Sequence, residues 1–469
     1  MLKFGTDGWR AVIAEEFTFP NVRLVTQGIA AYLQERGLKG KVVIGYDHRF
    51  MAENFAQAVA EVLAGNGFEV LFPDRSLPTP VTAFAVKHYG AIGGIMLTAS
   101  HNPPEYSGLK FIPEYAGPAL PAITDAIEEA IEKIAAGGPI KRVDFAAAQR
   151  QGLVHSIDPR GAYLEHLASL VKTDALRRAK LKVIVDPLYG AGIDYLEEFL
   201  ARAGCQVEVI HGHRDPLFGG SLPDPSATGL SDLSREVVRR GADLGLALDG
   251  DGDRFGLIDA DGTYITANQF LPMLLAHLLE TRGWRGPVAR TVATTHLLDR
   301  VAAEYKLAVK ETPVGFKYIG QALLEGAVLG GEESGGVSIY GHLPEKDGIL
   351  ATALAAELRV TTGKPLQAVW RRLGSRYGQL VSRRFDLHVD AQAKRRVLDC
   401  LKGYAPGELD GRKVSGRLTL DGVKILLDDG SWVLVRPSGT EPLFRLYVEA
   451  PDERSLQALA AAVRDDLKI

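Results

Sequence analysis

Three kinds of side chain that can act on a phosphate ester stand in separate stretches of this sequence. They are an oxygen nucleophile, a set of alternating carboxylates, and a guanidinium flanked by hydroxyls. The nucleophile is Ser100 in Thr98-Ala99-Ser100-His101-Asn102-Pro103, a run that puts a hydroxyl, an imidazole and a carboxamide around one point. The competing reading is a turn whose Ser100 and Asn102 bond their own backbone. The carboxylates are Asp249, Asp251 and Asp253 in Leu248-Asp249-Gly250-Asp251-Gly252-Asp253-Arg254. Extended geometry projects alternate residues to one side, and the two glycines let the backbone curl until all three reach one ion. An oxygen-only donor set suits Mg²⁺ or another hard cation. An EF-hand is excluded, because its sixth position would be Arg254 rather than glycine and its twelfth Ala260 rather than glutamate. A solvated acidic turn competes, but three carboxylates this close repel strongly without a cation.

Two further loops supply polar chemistry. In Gly330-Gly331-Glu332-Glu333-Ser334-Gly335-Gly336, Glu332 and Ser334 could meet the paired donors and acceptors of sugar hydroxyls; a glycine-rich turn is the plainer reading. In Arg436-Pro437-Ser438-Gly439-Thr440-Glu441-Pro442, one guanidinium, two hydroxyls and the amides around Gly439 make a phosphate cradle. It is not a Walker A loop, since no lysine follows the glycine. His342-Leu343-Pro344-Glu345-Lys346-Asp347 offers a histidine and a lysine that could move a hydroxyl proton, or else the start of a helix capped by Asp347. Near the start, Phe4-Gly5-Thr6-Asp7-Gly8-Trp9-Arg10 reads as a tight turn bringing Arg10 to a ligand, or as an edge strand.

These loops need strands to carry them. The apolar run Ala91 to Leu97 reads as a buried strand ending just before Ser100, and in open α/β sheets ligands gather at such carboxyl ends. A helix over about Asn21–Arg36, strand Val42–Tyr46, a helix Glu53–Ala64 capped by Gly65, strand Glu69–Phe72 and helix Val81–Lys87 precede it. Strand alternating with helix predicts a doubly wound parallel sheet. The pattern restarts with strands at Leu181–Val185, Val207–Ile210 and Leu244–Leu248. It restarts again near Asn268, with strand Val288–Val292 and helix Leu297–Tyr305. Each pass ends a strand in a polar, glycine-bearing loop, which suggests a repeated unit. From about Tyr377 short strands, Val423–Leu427, Trp432–Val435 and Phe444–Val448, and a helix Glu453–Leu467 suggest a smaller α+β domain. The expected architecture is therefore three doubly wound α/β domains, residues 1–155, 156–262 and 263–376, and an α+β domain over 377–469.

Together the loops closely resemble the α-D-phosphohexomutase superfamily, the phosphoglucomutases and phosphomannomutases, along essentially the whole chain and in the same order. Thr98 to Pro103 matches that family's phosphoserine loop, Asp249 to Arg254 its metal loop, Glu332 to Gly335 its sugar loop and Arg436 to Thr440 its phosphate loop. The resemblance implies four domains around a central cleft, the fourth more mobile. It implies Ser100 as phosphoserine and, through its phosphate, a ligand of Mg²⁺ with Asp249, Asp251 and Asp253. It places Arg10, His101 and Lys110 beside the phosphoserine and Lys110 as a candidate acid/base. Arg254, Val314, Gly315, Glu332, Ser334, Lys346, Arg436, Ser438, Gly439 and Thr440 would meet the substrate. One branch of the family commonly has a histidine two residues after the sugar-loop serine, where this chain has Gly336. That leaves His342 and Lys346 as further acid/base candidates. The implied activity is interconversion of hexose 1- and 6-phosphates, glucose first and mannose also, with a hexose 1,6-bisphosphate as primer. A phosphoglucosamine mutase, a serine-dependent phosphatase and a non-catalytic sugar-phosphate-binding protein are the rival readings.

Composition narrows the partners. At 469 residues the chain exceeds one ordinary core. A net charge of -4 without a long basic run gives no sign of nucleic-acid binding and leaves small anions as ligands. Cys205 and Cys400 lie too far apart in sequence to suggest a disulfide framework or a zinc site, which fits a reducing cytosol. The N-terminus lacks the apolar core of a signal peptide and no run approaches a membrane span, so a cytoplasmic monomer or homodimer is expected.

Overall fold

The computed structural model describes residues 8–438 and 443–469. Phe4 to Asp7 and the phosphate-loop residues Gly439 and Thr440 lie outside the described residues. The chain divides into two compact units. The first takes in residues up to Thr266 with Gly315–Gly330 and Ser334–Gln367; the second takes in Ala267–Val314, Gly331–Glu333 and Ala368–Ile469.

Two mixed sheets build the first unit. In the first, the order is Trp9–Val12, Tyr106–Pro113, Gly93–Leu97, Lys41–Tyr46, Glu69–Pro73, Val154–Ile157. The strands from Gly93–Leu97 to Val154–Ile157 run parallel, while Tyr106–Pro113 is antiparallel to both of its neighbours. The second sheet repeats the scheme. Gln206–Val209, Lys182–Asp186 and Leu244–Leu248 are parallel, and Phe255–Asp259 returns antiparallel beside Leu244–Leu248. The expected doubly wound parallel arrangement is present, with antiparallel pairing added at one edge of each sheet. The inner strands are apolar on both faces because both faces are covered, as Gly93–Leu97 and Leu244–Leu248 show by complete burial.

That antiparallel return explains where the chemistry sits. Ser100 lies in the connection between Gly93–Leu97 and Tyr106–Pro113, and the three aspartates lie in the matching connection between Leu244–Leu248 and Phe255–Asp259. Glu332 and Ser334 occupy the turn between strands Leu329–Gly331 and Val337–Ile339. The suggested repeat is therefore present at the level of connection, each loop following the corresponding strand of its sheet.

Other elements depart locally from the sequence reading. Helix Ala52–Gly65 ends with Asn66 as its C-cap, and the left-handed turn falls on Gly67 (φ 84°) rather than Gly65. Gly65 is small for another reason: a Cβ there would lie 2.5 Å from the Arg142 Cα. The polar bridge before Asp158 contains helix Phe145–Arg150 and the edge strand Val154–Ile157.

In the second unit, Val288–Thr291 pairs in parallel with Val309–Thr312. The C-terminal sheet is antiparallel, in the order Val381–His388, Leu443–Ala450, Trp432–Pro437, Val423–Leu427, Arg412–Leu418, Glu408–Leu409. Helices Ala391–Gly403 and Glu453–Leu467 close its core through Val397, Leu401, Leu456 and Leu459. Trp432, Leu434 and Tyr447 of this sheet share an apolar cluster with Val292 and Ala293. Buried Lys424 reaches from it to the Val292 carbonyl and Glu311, each at 2.8 Å. Among the described residues no helix is long and apolar enough to cross a membrane.

Candidate active site

The chain leaves strand Gly93–Leu97 and turns at Ser100, whose φ of 52° is left-handed. For a residue with a Cβ this costs about 1–2 kcal/mol, so the surroundings must hold it. The Ser100 N–H donates to Thr98 Oγ1 at 2.8 Å, and the Thr98 hydroxyl donates to Asp47 Oδ2 at 2.6 Å. Self-bonding of the turn is therefore the task of Thr98. The Ser100 hydroxyl is left to point elsewhere: it donates to Asp249 Oδ2 at 2.8 Å, across 149 residues of sequence. His101 Nδ1 lies 3.3 Å from the same hydroxyl. Arg254, then burial and Arg10, push the His101 pKa down to about 2, so its ring is neutral near pH 7.

Asp249, Asp251 and Asp253 are fully buried, and one carboxylate oxygen of each lies within 4.8 Å of the others. Lys110, itself buried, bridges Asp251 and Asp253 at 3.0 and 3.2 Å, and Lys346 reaches Asp253 at 2.6 Å. Thr79 donates to Asp251, and the Arg254 backbone N–H to Asp249. Burial and then its two carboxylate neighbours push Asp249 well above the ordinary range. Burial also opposes the charge on Asp251, but Lys110 and Lys346 outweigh it and hold that carboxyl low. Asp251 Oδ1 and Asp253 Oδ1 are buried with no hydrogen-bond partner among the described residues. Buried oxygens without donors are costly. Hard, convergent and under-satisfied, these oxygens fit a hard divalent cation.

Lys346 reaches Asp253 because Gly336 leaves room: a Cβ at Gly336 would lie 3.0 Å from Lys346 Cδ. His342 is engaged differently. Its Nε2 bonds Asp347 at 2.8 Å and its Nδ1 faces His166 Nε2 at 3.0 Å, so both ring nitrogens have partners outside the aspartate group. Asp347 also accepts from the Tyr163 hydroxyl at 2.6 Å and caps helix Gly348–Thr362 through the Leu350 N–H. The helix-start reading of this stretch thus holds alongside the lysine's placement. Arg10 donates to the Asn102 side chain at 3.1 Å, from strand Trp9–Val12. Gly315, with φ 130°, starts helix Phe316–Leu324.

The second unit gathers a separate group. Asp421 Oδ2 accepts from Arg436 Nε at 2.8 Å and from the Val314 N–H at 3.0 Å, bringing two expected substrate residues onto one carboxylate. Ser438 is buried, and its N–H bonds the Leu443 carbonyl. Glu332 is buried as well.

Sequence reading passed over Asp47, Arg49, Thr79 and Asp421. The first two follow strand Lys41–Tyr46 directly, at the same carboxyl edge as Ser100, and that position was the available signal.

Models of one family match the chain domain by domain: phosphoglucomutase/phosphomannomutase α/β/α domain I at residues 1–137, domain II at 161–262, domain III at 266–377 and the C-terminal domain at 387–466. The chain belongs to the phosphoglucomutase/phosphomannomutase family. It is accordingly a phosphotransferase of the isomerase class, within the α-D-phosphohexomutase superfamily. A phosphoglucomutase/phosphomannomutase of Thermococcus kodakarensis is 34% identical, over 96% of this chain and 95% of its own. A Pyrococcus horikoshii relative assigned as a phosphoglucosamine mutase is 33% identical, over 97% and 95%. A Thermus thermophilus crystal structure assigned as a phosphomannomutase superposes with a TM-score of 0.86 at 35% identity, covering 100% of this chain and 99% of that one.

Proposed function

We propose that the chain interconverts hexose 1-phosphates and hexose 6-phosphates, glucose first and mannose also, through a phosphoserine at Ser100 and a hexose 1,6-bisphosphate. The observation that carries this reading is the Ser100 hydroxyl lying 2.8 Å from Asp249, within a buried trio of aspartates. Phosphate-ester cleavage is among the slowest uncatalysed reactions, and enzymes lower its barrier chiefly by positioning and charge neutralisation. Asp249, Asp251 and Asp253 would hold Mg²⁺ together with the phosphate on Ser100. The ion, when bound, offsets charge developing on the transferred group.

Phosphorylated Ser100 gives its phosphoryl group to O6 of a bound hexose 1-phosphate. The Oγ–P bond breaks as the O6–P bond forms, and the O6 hydroxyl loses its proton to a nearby base. Lys346 and Lys110 are the first candidates for that proton, each accepting it as the neutral amine; His342 stands behind them because Asp347 and His166 already engage its ring. The bisphosphate reorients; its O1–P bond breaks as the phosphoryl group passes back to Ser100 Oγ, the proton taken earlier is returned to O1, and hexose 6-phosphate is released. Arg254, Glu332 and Ser334 bind the ring. Val314, Gly315, Arg436 and Ser438, with Gly439 and Thr440, bind the phosphate that is not being transferred. Since either end of the sugar must fit that one cradle, C3 and C4 are held firmly and C2 is read loosely. The protein acts as a cytoplasmic monomer or homodimer.

Ser100→Ala should abolish isomerisation of glucose 1-phosphate; undiminished turnover would refute the reading. The Pyrococcus relative's name supports a second reading, glucosamine phosphate as substrate. Catalytic efficiencies on glucose, mannose and glucosamine 1-phosphates, with Mg²⁺ and bisphosphate primer, separate the two.

A further inference from the structure

We propose that Asp47 and Arg49 are a positioning pair that aims the Ser100 hydroxyl at Asp249 by locking the Ser100 backbone in its left-handed conformation. The inference rests on Ser100 being the phosphoryl carrier. Arg49 has no exposed side-chain surface, and a guanidinium carries five N–H donors. All five are used. Nε donates to Asp47 Oδ2 at 3.2 Å. Nη1 donates to the Pro103 and Tyr106 carbonyls at 2.7 and 2.9 Å, and Nη2 to those of Ser100 and Asn102, both at 2.7 Å. One cation therefore gathers four carbonyls between the nucleophile itself and the first residue of strand Tyr106–Pro113. The Phe218 ring, 5.1 Å from the guanidinium carbon, packs against it.

Both sides of Ser100 end on this pair. Its carbonyl is held directly by Arg49; its N–H is held by Thr98 Oγ1, whose proton goes to Asp47 Oδ2. Asp47 is in turn pinned to the strand that delivers Ser100, its N–H bonding the Leu97 carbonyl at 3.0 Å. With N–H and C=O both anchored, the Cα–Cβ direction has no freedom, and φ stays at 52°. Relaxation to the right-handed region would swing Oγ away from Asp249. The metal loop crosses the Ser100 carbonyl so closely that a Cβ on Gly250 would lie 2.8 Å from that oxygen, which leaves the carbonyl little room to move. A lysine at position 49 has three donors and no planar fork, so it cannot reproduce the arrangement.

The test uses the full chain with Thr98→Val, Arg49→Lys and Asp47→Asn, beside wild type and Ser100→Ala. It measures kcat and KM for glucose 1-phosphate with Mg²⁺ and glucose 1,6-bisphosphate, and the urea midpoint. A crystal structure of Thr98→Val is determined in parallel. We expect kcat to fall at least tenfold in Thr98→Val and further in Arg49→Lys, with KM within twofold and Asp47→Asn milder than either. Folded Thr98→Val with kcat within twofold of wild type overturns the proposal, and it decides alone if Arg49→Lys fails to fold. Undiminished turnover in Ser100→Ala refutes the Ser100 reading instead. The crystal structure then judges the pair by itself: Ser100 still left-handed and its Oγ still bonded to Asp249 in Thr98→Val would end it.

Discussion

Lys346 touches Asp253 only because position 336 has no side chain. An added methyl there would lie 3.0 Å from Lys346 Cδ and 3.2 Å from the Phe316 ring. A lysine stem can shift by a few tenths of an ångström, but the 2.6 Å bond at its tip tolerates little movement. Gly336→Ala should therefore lower kcat by about tenfold or more, as expected when a positioned group is displaced by a fraction of an ångström, while the urea midpoint hardly moves. Steady-state kinetics beside equilibrium unfolding would check this, and loss of stability in proportion to activity would contradict it. A histidine at 336 and a lysine at the observed place of Lys346 compete for one volume, which is a physical reason for this chain to carry the smallest residue there. Nothing in the residue order announces that exclusion. The aspartates, by contrast, were legible, because alternation with glycine is a local property, whereas Gly336 and Lys346 meet only after folding.

At the scale of elements, helix Gly348–Thr362 is fastened by a carboxylate with several duties. Asp347 caps its first turn and also accepts from buried Tyr163 and bonds His342. Asp347→Ala should remove a cap worth about 1 kcal/mol and strand the Tyr163 hydroxyl, at about 1–3 kcal/mol more. Tyr163→Phe, which removes only the donor, should cost about 1 kcal/mol. Urea titrations of both variants test the difference. Elements with an uninterrupted signal were read correctly: Leu244–Leu248, Val423–Leu427 and Glu453–Leu467 have the bounds that their periodicity predicts. Tyr106–Pro113 was missed because Ser107, Gly108 and Lys110 break its apolar run, although all are buried. Val154–Ile157 hid in a polar bridge because its central His155 and Ser156 are exposed at a sheet edge. Arg49 was invisible for the opposite reason: a charged residue reads as solvated, and its burial depends on carbonyls more than fifty residues onward in the chain.

At the scale of the molecule, the aspartate trio is a candidate cation site with two buried carboxylate oxygens that no donor reaches among the described residues. Binding to the folded chain alone stabilises it by mass action, about 2.7 kcal/mol at a hundredfold excess over the dissociation constant. Mg²⁺ should raise the thermal midpoint of the first unit and EDTA should lower it and stop turnover. Asp251→Asn should blunt the Mg²⁺ response, and calorimetry with and without Mg²⁺ measures all of this. A midpoint indifferent to Mg²⁺ would count against the trio as a cation site. The two units are also interleaved along the chain, which passes from one to the other at residues 266, 314, 330, 333 and 367. Glu332 and Ser334, two residues apart, belong to different units. Recombination with a relative at any one junction therefore leaves at least one body of mixed parentage, so hybrid enzymes that keep both cores intact need exchanges at several junctions together.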